Sequence, residues 1–152
     1  MVDPPGVLVS GPPRPSMPED VKALYFEASE VARVSPRAAA ALLRVAVETL
    51  VNGLQPGNRT LFQKIGDLVK GGLAAQVQQA MDMLRVTGND AVHPVQTIVL
   101  ESDEEAGLVP GLFEMLNFIV EQVVDRQAHI DRLFGQLPES ARKVIEKRDS
   151  AP

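Results

Sequence analysis

In the stretch Leu84-Arg85-Val86-Thr87-Gly88-Asn89-Asp90-Ala91-Val92-His93-Pro94, an arginine, an amide and a histidine fall within about two helical turns at an abrupt helix end. A guanidinium grips a phosphate through two parallel N–H donors, and an imidazole gains or loses a proton near neutral pH. Held close together, such groups can hold a phosphate and move a proton, which raises the possibility of RNA chemistry. In an active site of this kind, an RNA 2′-hydroxyl would attack the adjacent phosphate, His93 would transfer a proton, and Arg85 would offset charge on the phosphoryl oxygens. Asn89, four residues before His93, can orient the imidazole or the substrate where the stretch is helical. A structural reading stands beside this one: a histidine before Pro94 is pushed toward extended backbone, and its ring can bond a free carbonyl or Glu48.

Glu48 belongs to a second charged pair. Between Ala38 and Val51 the only polar residues are Arg44, Glu48 and Thr49, the composition of a central helix packed on most sides. Arg44 and Glu48, one turn apart, are expected to form a buried pair that fixes packing and anchors Asn89 or His93. Gly88 is placed to take the left-handed conformation that closes the helix carrying Arg85. Asp103, Glu104 and Glu105 read as the dipole complement of a first helical turn, so no metal site and no cofactor is expected. His129, beside Gln127 and Asp131, reads as a solvated surface residue.

The elements that must hold these residues are helical almost throughout. Residues 1–17 carry Pro4, Pro5, Pro12, Pro13 and Pro15, which predict an extended arm rather than core. A first helix starts near Pro18, with Val21, Leu24, Tyr25, Ala28, Val31 and Ala32 as its apolar stripe, and stops before Pro36. Ser35 as N-cap and Pro36 as first helical residue open a second, reaching about Asn52-Gly53. Thr60 and Gln63 form a capping box for a third, which Gly71-Gly72 ends. A fourth runs from about Leu73 to Val86. Val95 to Leu100 is β-branched and short, an extended connector or lone strand, and Ser102 with Glu105 forms a second capping box. The last long helix spans about Pro110 to Phe134, and Pro138 starts a short charged one. The expected fold is all-α, an antiparallel four- to five-helix bundle over residues 18–135, with a charged C-terminal helix or tail over 136–152.

Composition narrows function. The chain of 152 residues has no cysteine, which excludes disulfides, thiolate metal sites and cysteine nucleophiles and fits a reducing cytoplasm. Its start lacks the basic and apolar runs of a secretory signal, and no apolar run is long enough to span a membrane, so no membrane partner is expected. Net charge is −5, against a protein that coats nucleic acid. Residues 18–100 balance eight acidic with eight basic side chains, whereas 101–138 carry eight acidic and two basic, so the acidic excess lies downstream of His93. One tyrosine and no tryptophan give single-stranded RNA few stacking platforms, so RNA is the less favoured partner. No phosphate-binding glycine loop, G-x-S-x-G or H-E-x-x-H occurs.

Met17 to Val21 leading to Tyr25-Phe26-Glu27-Ala28, then Ser35 to Glu48, then Leu84-Arg85 to Gly88-Asn89-Asp90-Ala91-Val92-His93-Pro94, resembles the domain-of-unknown-function 4145 family over about residues 17–126. The resemblance implies a HEPN-like helical bundle, since that family is related to the HEPN superfamily of nucleotide-binding helical domains. It also implies a homodimer and a place in phage-defence or stress systems, where many HEPN members are metal-independent ribonucleases. The active HEPN pattern sets Arg directly before the polar residue. Here Gly88 stands before Asn89, and the nearest arginine, Arg85, is separated from His93 by seven residues. The expected function is therefore a non-catalytic interaction or dimerisation domain with a homodimeric or other protein partner. The alternative is a HEPN-type ribonuclease or RNA-binding domain using Arg85, Asn89 and His93.

Overall fold

The computed structural model describes residues 11–87 and 107–151, and its elements are helical. Helix α1 (Glu19–Val31) follows Pro18, with Glu19 and Asp20 in its first turn where carboxylates complement the helix dipole. The chain turns through residues 32–35 because Pro36 has no amide proton to continue the ladder. Helix α2 (Pro36–Leu54) then begins with the Ser35 hydroxyl accepting from the Ala38 amide at 3.1 Å. α1 and α2 form the most extensive helix pair of the bundle.

Helix α3 (Leu61–Lys70) opens on a reciprocal capping box. The Gln63 amide donates to the Thr60 hydroxyl at 3.1 Å, and the Thr60 amide to the Gln63 side chain at 3.0 Å. Gly72, at φ +105, supplies the left-handed backbone that turns the chain toward α4 (Ala75–Thr87). Helix α5 (Val109–Val120) is apolar except for Glu114 and Asn117 and buries Leu112, Phe113, Leu116 and Ile119 against α2 and α4. A wider π turn over Glu121–Asp125 leads into α6 (Arg126–Phe134), and α7 (Glu139–Ser150) follows Pro138. None of the described helices is long and apolar enough to cross a membrane.

The core is one cluster drawn from α1 to α5. Tyr25 and Phe113 meet edge to face at 5.1 Å between ring centres, both fully buried. Each contributes roughly 2–3 kcal/mol through removal of its ring from water. The proline-rich composition predicts a stretch with no part in the core, yet Pro13 and Met17 are buried. Side chains of the bundle hold this part of the chain. The Tyr25 hydroxyl donates to the Gly11 carbonyl at 2.9 Å. Asn117 accepts from the Arg14 amide at 2.9 Å and donates to the Pro12 carbonyl at 3.2 Å. Arg14 forms an ion pair with Asp125. Prolines favour extended chain, but extended chain whose backbone groups find acceptors and donors can lie on a bundle.

Candidate functional site

Arg85 lies in the last turn of α4, on the side that faces α3. Its Nε donates to Asp82 Oδ1 at 3.1 Å, the neighbouring carboxylate one turn back. Its guanidinium carbon sits 5.1 Å from the centre of the Phe62 ring, within cation–π range. The Arg85 side chain is only 14 % exposed, whereas Phe62, from the first turn of α3, is 66 % exposed. An arginine so held has its charge matched and one face covered. A phosphate approaching it must compete with Asp82.

Beside this pair, α3 and α4 border a cleft of about 310 Å³ lined by Arg59, Phe62, Asp67, Lys70, Gln78 and Asp82. Arg59 is itself paired with Asp67 at 2.8 Å. The cleft therefore carries charges of both signs: Arg59 pairs with Asp67 and Asp82 with Arg85, while Lys70 adds a further positive charge.

Asn89, His93 and Gly88 lie outside the described residues, as do the connector at Val95 to Leu100 and the capping box of Ser102 and Glu105. Of the expected catalytic set, the geometry of Arg85 alone is on view. Arg44 and Glu48 do pair, at 3.2 Å along α2, but their side chains are 30 % and 40 % exposed. The expectation of a buried pair is corrected here. α2 packs on α1, α3, α4 and α5, yet Ala41 and Val45 stay exposed, and the half-exposed Arg44 and Glu48 border that apolar outer stripe. Apolar composition overstates burial when the outer residues are alanine and valine. His129 is exposed and its Nδ1 lies 3.0 Å from an Arg132 nitrogen, matching the surface position expected of it.

Two polar anchors escaped sequence reasoning. Lys64 is 3 % exposed, and its ammonium donates to Asn52 Oδ1 at 2.6 Å and to the Gly57 carbonyl at 2.7 Å, pinning the α2–α3 loop onto α3. A lysine one turn into an amphipathic helix normally reaches solvent, and only the path of the loop gives it two acceptors. Asn117 is the other, and here a signal was available. An amide inside an otherwise apolar helix needs partners, and the backbone of residues 12–14 provides them.

The electrostatics centre on Arg14 and Asp125. The Ser16 hydroxyl and the Arg14 guanidinium hold the Asp125 carboxyl below the ordinary carboxylate range. Burial pushes the Tyr25 phenol up, partly opposed by its hydrogen bond with Asn117. These shifts belong to the docked residues 11–17 and not to the α3–α4 cleft.

The family described as Domain of unknown function (DUF4145) matches residues 26–148, which runs from the second half of α1 through α6 and most of α7. No curated protein and no solved structure matches the chain.

Proposed function

The chain belongs to the DUF4145 family, and from that premise we propose that it is a non-catalytic interaction domain of HEPN-like architecture serving a cytoplasmic defence or stress system. The observation that carries this reading is the state of Arg85. A phosphate-holding arginine has to present free N–H donors toward a ligand, and this one is largely buried between Asp82 and Phe62. Gly88, standing where an active HEPN site has its arginine, supports the same reading.

One observation favours metal-independent RNA cleavage as a second reading. Phe62 is well exposed beside Arg85, a ring on which a base can stack. Incubating the full chain with several single-stranded RNAs in chelator separates the two. Intact RNA is expected. Cleavage that disappears in both His93→Ala and Arg85→Ala replaces the interaction reading with the nuclease one.

A further inference from the structure

Resting on the reading of the chain as an interaction domain, we infer that Tyr25 of α1, Asn117 of α5 and the π turn Glu121–Asp125 form a docking groove for an extended segment of another protein. That segment carries proline followed by arginine, and in this chain residues 11–17 fill its place in cis. The contacts that hold these residues read extended backbone and one charge. Asn117 accepts from the Arg14 amide at 2.9 Å and donates to the Pro12 carbonyl at 3.2 Å, the two backbone groups that flank Pro13. The Tyr25 hydroxyl donates to the Gly11 carbonyl at 2.9 Å. Pro13 is buried, while Pro12, Pro15 and Ser16 stay exposed. Paired backbone groups with one side chain pocketed and its neighbours outside is the way extended segments are recognised between chains. Proline favours that extended form in advance, so little order is lost on docking.

The charge of the groove selects a basic residue. Arg14 pairs with Asp125, to which the Ser16 hydroxyl also bonds. The hydrogen bond and charge of Asp125, with the charge of Glu121 behind them, push the Arg14 guanidinium's pKa up. Two carboxylates thus face one guanidinium. Both stand on the π turn, a widening of the helix that recurs at functional sites.

The cis segment is lightly held. Its ion pair is open to water, with side chains 39 and 26 % exposed, and such pairs contribute little. Pro12, Pro13 and Pro15 have no amide proton, so the segment has few backbone donors to offer. Lifting it without replacement leaves the Asn117 amide and the Tyr25 hydroxyl short of the partners they now have. The groove therefore favours exchange of one segment for another over standing empty, and an incoming segment with proline and arginine at the same spacing restores every contact.

Fluorescence anisotropy on the full chain, with a labelled peptide of the sequence Gly11 to Ser16, tests the inference. In the wild type the cis segment competes, and the apparent affinity falls with the fraction of chains whose groove is open. The double substitution Pro13→Asp, Arg14→Ala disables the cis segment and leaves the groove intact, so it should tighten peptide binding by about tenfold or more. The same peptide carrying Arg14→Glu should bind that variant about tenfold more weakly, because like charges then meet at Asp125. Thermal melting checks that the variant is folded. Should it melt low, Arg14→Ala alone, which removes only the half-exposed ion pair, takes its place. Equal affinity for the two peptides, or no gain when the cis segment is disabled, overturns the groove. A wild-type dimer in sedimentation that Arg14→Ala dissolves overturns the foreign partner in favour of a second copy's residues 11–17. RNA cleavage, by contrast, removes the interaction reading whatever the peptide result.

Discussion

The bundle core and the two C-terminal helices, α6 and α7, both bear large apolar residues, but only the first buries them. Phe113 is fully buried on α5, whereas Phe134, further along the same continuous run of helix, is 44 % exposed. One residue type thus sits in two environments. In α5 the ring is fully buried, edge to face against Tyr25 of α1, and stabilises the fold. In α6 it lies beyond the last turn that the bundle helices can cover, where an apolar side chain contributes only when something else packs on it.

The same truncation at both places is the most severe way to break this comparison. Phe113→Ala is expected to cost about 3–5 kcal/mol in denaturant unfolding, by lost transfer energy and the cavity left behind. Phe134→Ala should change unfolding by within about 0.5 kcal/mol. Similar costs at the two sites would mean that α6 belongs to the core.

Next in size is Lys64. Its removal in Lys64→Ala leaves Asn52 and the Gly57 carbonyl without their donor, a loss of about 1–3 kcal/mol. Urea unfolding checks it, and an effect no larger than that of a surface lysine such as Lys143, which is well exposed on α7, would remove the anchoring role.

The smallest effect concerns Asp125, at the boundary between the two regions. A carboxyl held below its ordinary range by Ser16 and Arg14 stabilises the fold above that range, and the contribution fades as pH falls through the folded value. The melting difference between wild type and Asp125→Asn should therefore be present near neutral pH and close toward acid. A difference that grows on acidification would reverse the sign and disprove the assignment.

The helices were largely legible because their boundaries are local. Ser35-Pro36, the Thr60–Gln63 box and Gly71-Gly72 act on backbone groups within one turn, so reading a few residues places α2, α3 and the turn to α4 close to where they lie. The candidate site was legible only as a set of residue types. That Arg85 pairs with Asp82 follows a three-residue spacing readable in sequence, but that Phe62 covers it depends on how α3 lies against α4. The burial expected for Arg44 and Glu48 failed for the same reason, since composition cannot say which stripe of α2 its neighbours leave open.

The sequence by itself determined the helical elements, their caps and the family, because capping, proline geometry and apolar periodicity are properties of neighbouring residues. Tertiary structure alone decided that residues 11–17 dock through Asn117 and Tyr25, that Lys64 is buried, that Arg85 is shielded, and that Ile130, Leu133 and Phe134 of α6 are exposed. Burial and hydrogen-bond partnership join residues far apart in the chain, and only the packed arrangement brings them within reach.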